Sequence, residues 1–169
     1  APSDTTRRLR AATSTTTVGT TAASTSSSTT SSTSTTTTEP GLHRLTFAFA
    51  GDILIHEGVW QSAQANTGGS GYDFVPMFAD VKPLLDSVDL AVCHMETVVV
   101  QPGDRPTDYP FYAAPVEIVP AIKAAGYDNC STASNHVFDK GAAGIDATLD
   151  AFDAVGLTQA GTARTKAEI

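Results

Sequence analysis

Three polar residues that could bind a cation each follow a short apolar run in the sequence. They are Asp52, Glu96 and Asn135, and the runs are residues 45–50, 90–93 and the weaker 127–133. We interpret these runs as buried strands. The carboxyl ends of parallel strands meet at one edge of an open α/β sheet, where such folds bind ligands. Oxygen donors and an imidazole at that edge predict a metal or phosphate site.

The pair Asn135-His136 is the strongest local signal. The amide oxygen of Asn135 could bind a hard metal ion, and the adjacent imidazole could protonate a leaving oxygen or contact a phosphoryl group. Asp139 follows three residues after His136. It could orient the imidazole, or it could cap the helix that the later pattern predicts, and the sequence leaves both roles open.

Two further histidines are candidates for supporting positions. His94 lies two residues before Glu96, so both side chains point to the same face of an extended chain. A partly buried histidine with an ordinary hydrogen bond is the alternative for His94. His56 lies four residues after Asp52 and could approach the same site, but a surface loop residue needs no role.

The sequence around these residues alternates between strand and helix patterns. Apolar residues recur at near-helical spacing within residues 75–88 and 115–125, and most clearly within 141–155, where Gly156 ends the helix. A fourth strand is expected at residues 157–160. This order predicts an α/β fold with a largely parallel sheet and right-handed crossovers.

Composition divides the 169 residues into two parts. Residues 1–40 are dominated by Ser and Thr and cannot bury enough apolar surface to offset the entropy of ordering, so we predict a disordered linker. Residues 41–169 are long enough for one domain with a core. Ser/Thr-rich spacers are typical of proteins outside the cell, and the chain has no apolar run long enough to span a bilayer. We therefore expect an extracytoplasmic protein, secreted or associated with the cell envelope, whose leader is not part of this chain.

The charge is also unevenly distributed. The chain has 10 basic and 18 acidic residues, for a net charge of −8. The linker holds three of the basic and two of the acidic residues, which leaves 7 basic and 16 acidic residues, a net charge of −9, in the remainder. A nucleic-acid partner needs basic patches to neutralise phosphates, so this balance argues against one. It is compatible with cation binding, and also with an ordinary acidic surface.

Two cysteines, Cys93 and Cys130, lie near the ends of two predicted strands. A disulfide bond is conceivable if those strands are neighbours. Buried free cysteines are common in strands, and we favour two free thiols. The spacing of the two cysteines fits neither a zinc nor a redox motif.

The motifs around these residues resemble those of the bacterial capsule-synthesis (CapA-type) family, which is known for poly-γ-glutamate capsule synthesis. The resemblance spans about residues 45–161. It rests on Phe49-Ala50-Gly51-Asp52, Ala91-Val92-Cys93-His94-Met95-Glu96, Tyr109-Pro110-Phe111, Ala114-Pro115 and, above all, Ser134-Asn135-His136-Val137-Phe138-Asp139-Lys140-Gly141. The later histidine motifs of the family have no counterpart before Ile169, so we expect residues 41–169 to be the N-terminal portion of the family's domain.

The resemblance implies a layered α/β/β/α metallophosphatase-like fold and a metal-dependent hydrolase site of the phosphoesterase type. In it, Asp52, Glu96 and Asn135 would be metal ligands, and His136 would be the acid or phosphate-contacting group. Two divalent cations, Mn, Fe or Zn, would stabilise the attacking and leaving oxygens, although these residues supply only half of such a shell. The implied partners are an anionic polymer or phosphate-containing substrate and the capsule machinery of the envelope. A non-catalytic component that assembles or binds the polymer is the alternative.

Overall fold

A four-stranded parallel sheet organises residues 43–101 and 103–169, the part of the chain that the computed structural model describes. Its strands are β1 (Phe47–Ile53), β2 (Leu90–Met95), β3 (Asn129–Ser131) and β4 (Thr158–Ala160), paired in the order β1-β2-β3-β4. The helices are α1 (Glu57–Asn66), α2 (Lys82–Leu85), α3 (Ile118–Ala125) and α4 (Gly141–Val155), with 3₁₀ turns at Val75–Phe78 and Lys166–Glu168. Every strand runs parallel to its neighbour, which confirms the predicted α/β fold with a parallel sheet.

All four helices contribute to one hydrophobic core against one face of the sheet. Burial alternates along β2, where Ala91, Cys93 and Met95 are buried. These side chains belong to the same cluster as Ile122 of α3 and Phe152 of α4. Burying an apolar side chain of the size of Ile122 or Phe152 contributes roughly 1.5–3 kcal/mol, so β2 and the helices that cover it anchor the fold.

The opposite face of the sheet is open in the part of the chain that the structure describes. Phe47 and Phe49 of β1 are 51% and 74% exposed, and their rings stack with centroids 6.3 Å apart. The family resemblance implies an α/β/β/α arrangement with two sheets, and the described residues form a single four-stranded sheet.

A bulge in β1 changes the position predicted for Asp52. The sequence places the first strand at residues 45–50 with Asp52 after it, whereas β1 contains Asp52. The register shifts between Phe49, which pairs with Val92, and Asp52, which pairs with His94. One extra residue in a strand reverses the direction of the side chains that follow. The bulge therefore turns Asp52 from the helix-covered face to the open face.

Other predicted elements differ in length. No element is predicted at α1, because a single one of its ten residues, Ala63, is buried, which leaves little helical periodicity. The pattern across residues 75–88 forms a 3₁₀ turn and the four-residue α2, which has a proline in its first turn. β3 is shorter than the predicted run of residues 127–133.

Helix ends marked by glycine are predicted best. α4 has the predicted span and ends at Gly156, whose φ of 62° lies in the left-handed region. α3 ends in the same way at Gly126, with φ 111°, although it begins at Ile118 rather than at Pro115. The residues between Pro115 and Ile118 form a turn.

Cys93 and Cys130 form a disulfide bond between β2 and β3, with their Cα atoms 4.4 Å apart. They are direct register partners in adjacent strands, and both are buried. The prediction of two free thiols is therefore wrong. The error arises because the local sequence does not reveal which strands are neighbours in the sheet.

Residues 45–169 pack as one compact unit. The predicted disordered linker, residues 1–40, lies outside the described residues. Among the described residues, no helix combines the length and apolar character needed to cross a membrane.

Gly161, directly after β4, has φ 132° and lies against the backbone of Ala133. A Cβ atom on Gly161 would collide with the backbone nitrogen of Ala133 and lie 2.9 Å from its Cα atom. We expect Gly161→Ala to lower the free energy of unfolding by about 1–3 kcal/mol, because both the φ angle and the contact are unfavourable. Urea unfolding measures the change. Gly58→Ala is the control, since a Cβ atom there meets nothing within 4 Å, and it should leave stability unchanged or raise it.

Candidate functional site

Asp52 and His94 lie side by side near the carboxyl end of the sheet. They are register partners on β1 and β2, and Ser131 of β3 is the partner of His94 on its other side. Partners in a parallel ladder point to the same face, so these side chains form a row on the open face. Asp52 Oδ1 and His94 Nε2 are 3.8 Å apart, which permits a weak ion pair when His94 is protonated.

Glu96 follows β2 directly, as the sequence predicts, and lies beside the segment that contains Asn135 and His136. The next residue, Thr97, forms a parallel bridge with His136. The Oε2 atom of Glu96 is buried and has no hydrogen-bond partner among the described residues. A buried polar atom without a partner costs free energy, so a cation or a further donor at this oxygen would be stabilising.

His136 is paired with Asp139. Its Nδ1 atom lies 2.7 Å from Asp139 Oδ2, and the two side chains are 20% and 10% exposed. The same oxygen accepts a 2.7 Å hydrogen bond from the backbone N–H of Tyr112. An ionised carboxylate only accepts hydrogen bonds, so His136 donates from Nδ1 and keeps Nε2 for other contacts. The N-terminal cap of α4 is Lys140, with no side-chain cap bond, so Asp139 contacts the imidazole instead of capping the helix.

A second histidine–aspartate pair, His56 and Asp108, lies at the start of α1. His56 Nδ1 is 2.9 Å from Asp108 Oδ1. Asp108 also accepts hydrogen bonds from the backbone N–H groups of Glu57, at 3.1 Å, and Tyr109, at 2.8 Å. The first of these satisfies an N–H at the start of α1 that has no helical partner. Sequence reasoning missed Asp108, because it lies 52 positions from His56 and no local pattern marks it.

Tyr112 contacts both histidines. Its ring centroid is 5.2 Å from that of His56 and 4.7 Å from that of His136, and both contacts are edge-to-face. Burial raises the pKa of Tyr112, and the negative charges of Asp108 and Glu96 raise it further. The phenol therefore stays neutral at physiological pH, among acidic groups from separate segments of the chain.

Asp108 gives this region a measurable dependence on pH. The backbone hydrogen bond from Glu57 lowers the pKa of Asp108 from its ordinary value of 3.8; burial opposes the change, and the Tyr109 N–H and His56 lower the pKa further. A lowered pKa in the folded state stabilises the fold above the ordinary value, and this contribution is lost as the pH falls through the lowered value.

We expect the stability difference between the wild type and Asp108→Asn to shrink as the pH falls below about 4. Urea unfolding at a series of pH values measures this difference. Asp104→Asn removes an exposed carboxylate from the same segment between β2 and α3. This variant controls for the loss of one negative charge. A difference that grows as the pH falls below about 4 would contradict the assigned hydrogen bonds.

The predicted metal ligands Asp52, Glu96 and Asn135 lie near the carboxyl edge of the sheet. Within residues 43–101 and 103–169, no three His, Cys, Asp or Glu side chains have the geometry of a metal site. Asn135 is exposed, and its Oδ1 accepts a 3.4 Å hydrogen bond from Ser134 Oγ. The buried, unpartnered Oε2 of Glu96 could supply one ligand to a cation.

The fold and its polar edge define the class of protein. A parallel α/β sheet with polar side chains near its carboxyl edge is consistent with a metallophosphatase-like fold. The family model described as bacterial capsule synthesis protein PGA_cap matches residues 46–169. The match covers most of the chain, so the protein belongs to this bacterial capsule synthesis family. No curated protein shows a significant match to the sequence.

Proposed function

We propose that this member of the capsule synthesis family is a cation-dependent hydrolase with a phosphoesterase-like site at the carboxyl edge of the sheet. The observation that carries the proposal is the buried Oε2 atom of Glu96, which has no partner among the described residues and lies beside the His136 segment. Glu96 would hold a cation together with Asn135 and Asp52. Two divalent cations, Mn, Fe or Zn, would bind at this edge, with at least one at Glu96.

His136 would supply the proton for the leaving group. Asp139 holds its Nδ1–H, so the imidazolium form presents its second proton on Nε2. Transfer of that proton to a departing oxygen breaks the Nε2–H bond and leaves a neutral imidazole and a neutral alcohol. The hydrogen bond to Asp139 is the same before and after the transfer, so the ring keeps its orientation. A bound divalent cation would polarise the phosphoryl group.

The acidic surroundings are the reason that a cation belongs to the proposal. Burial is the largest cause of the raised pKa of Tyr112. The negative charges of Asp108, Glu96 and Asp139 raise this pKa further. Carboxylates this close would repel an anionic substrate unless positive charge is also present. We therefore propose a phosphate-containing substrate or an anionic polymer that binds together with the cation. Poly-γ-glutamate, which the family resemblance implies, is a polymer of this kind.

We also propose that the protein acts outside the cytoplasm, with the capsule machinery of the cell envelope. The Cys93–Cys130 disulfide bond supports this location, because disulfides persist in oxidising compartments and are rare in the cytosol. The Ser/Thr-rich composition of residues 1–40 fits a spacer outside the cell. The net charge of −8 gives no support to a nucleic-acid partner.

Calorimetric titration with MnCl₂ tests the proposed site. The wild type is expected to bind Mn²⁺, and Glu96→Gln should weaken binding by more than about tenfold, because an amide replaces a charged ligand. Asp80→Asn removes an exposed carboxylate before α2 and should bind as the wild type does. Hydrolysis of bis(4-nitrophenyl) phosphate in the same buffer then measures turnover. Mn²⁺ binding that Glu96→Gln leaves unchanged would disprove the placement of the cation.

A non-catalytic role in binding or assembling the capsule polymer is the second candidate. The observation that favours it is that residues 43–101 and 103–169 contain no group of three His, Cys, Asp or Glu side chains with metal-site geometry. In this role, a cation would bridge the acidic side chains and the anionic polymer. Mn²⁺ binding without phosphodiester hydrolysis would support this role over the hydrolase.

A further inference from the structure

His56 is an ordered side chain that the proposed chemistry does not use. Its side chain is 51% exposed, yet its Nδ1 atom is held by Asp108. Asp108 is held in turn by the backbone N–H groups of Glu57 and Tyr109. Fixing a half-exposed side chain in one orientation costs conformational entropy. The hydrogen bond to Asp108 offsets this cost and fixes Nδ1 of the ring, which leaves Nε2 for other contacts.

One loop contacts both histidine–aspartate pairs. An antiparallel bridge closes the loop of residues 107–113 through two backbone hydrogen bonds of 3.0 Å. From this loop, the carboxylate of Asp108 contacts His56, and the backbone N–H of Tyr112 contacts Asp139. The same short segment therefore sets the orientation of both imidazoles.

Both imidazoles also contact the ring of Tyr112, which limits their separation. The centroids of His56 and His136 are no more than 9.9 Å apart, the sum of their distances from the Tyr112 centroid. Two imidazoles within this limit are close enough for both to donate hydrogen bonds of about 2.8 Å to the oxygens of one phosphoryl group. Among the described residues, none hydrogen-bonds to Nε2 of either ring.

We propose that His56 is a second substrate-contacting histidine, whose Nε2 atom binds an oxygen of the phosphoryl group that lies at His136. The group recognised is the oxyanion of a phosphate ester. Asp108 and Tyr112 are positioning residues, because they hold the ring without touching the substrate themselves. The inference rests on the proposed phosphoesterase-like function and adds to it a residue that binds the substrate.

Kinetics with bis(4-nitrophenyl) phosphate in MnCl₂ buffer provide the first test. His56→Gln is expected to raise KM about tenfold and to change kcat much less, because it removes a contact made before the reaction. Asp108→Asn should raise KM by a smaller factor, since the ring remains but loses its anchor. A merely structural role for Asp108 would lower stability and leave KM unchanged. His43→Gln, which replaces an exposed histidine before β1, is the control.

Calorimetric binding of inorganic phosphate in the same buffer provides a readout that does not depend on turnover. His56→Gln should weaken phosphate binding about tenfold. Normal turnover with unchanged KM and phosphate affinity in His56→Gln would overturn the inference and leave the proposed function in place. Phosphate binding that depends on His56, in a protein without turnover, would support the inference and count against the hydrolase. Thermal unfolding of His56→Gln and His56→Asn confirms that the variants fold.

Discussion

Replacing Cys93 and Cys130 together with alanine is expected to lower the free energy of unfolding by about 4 kcal/mol. The disulfide bond joins cysteines 37 positions apart, and the restriction of the unfolded chain over that length accounts for most of this effect. Both residues are buried between β2 and β3, so the two alanines also leave a small cavity. Urea unfolding of the wild type and the double variant measures the difference.

A reductant separates the effect of the bond from that of the side chains. The wild type should lose stability when it is reduced, whereas the double alanine variant should be insensitive to reduction. Thiol titration before and after treatment establishes how much of the bond has been broken. Two free thiols in the untreated protein, or a fully reduced protein as stable as the oxidised one, would show that the prediction is wrong.

His136→Asn is expected to reduce kcat for phosphodiesters with poor leaving groups by about 10²–10⁴-fold, the usual effect of losing a general acid. The reason is that Asp139 fixes Nδ1 of the imidazole, which leaves Nε2 to deliver the proton. The loss should be far smaller for a 4-nitrophenyl ester, because 4-nitrophenolate departs without being protonated. A series of aryl phosphodiesters with different leaving groups measures this dependence. An equal loss across the series would contradict the acid role.

Asp139→Asn removes the contact that orients the His136 imidazole but leaves the imidazole in place. We expect a smaller loss of kcat than in His136→Asn, because the imidazole remains but its tautomer is no longer set by a carboxylate. Asp139 also accepts the backbone N–H of Tyr112, so thermal unfolding must be measured alongside the kinetics. Asp104→Asn, a change at an exposed position, should keep the kcat of the wild type.

The order of strands and helices can be predicted from this sequence because its signals are local. The apolar run of β2 and the helical spacing of α4 lie within single segments, and Gly156 marks where α4 ends. The limits of β1 could not be predicted, since the bulge before Asp52 depends on pairing with β2. α1 was not predicted because it has no strong apolar stripe. Ala63 is its one buried residue.

The candidate site could be predicted only where its residues directly follow strands. Glu96 and His136 stand out in the sequence because each comes shortly after an apolar run. Asp108 and Tyr112 lie in a loop without periodicity, and their contacts with the histidines depend on how that loop folds back. The disulfide bond was missed for a similar reason, since it depends on which strands are neighbours.

The order of the strands in the sheet has a consequence for biosynthesis. The order of the strands in the sheet, β1-β2-β3-β4, is the same as their order in the chain. Each new strand can therefore pair with the edge strand of the sheet that has already formed. No strand made later has to separate two that are already paired, so the sheet can grow as the chain emerges. The Cys93–Cys130 bond requires only β2 and β3. The bond can therefore form once β2 and β3 have paired in an oxidising compartment, whether or not β4 has joined the sheet.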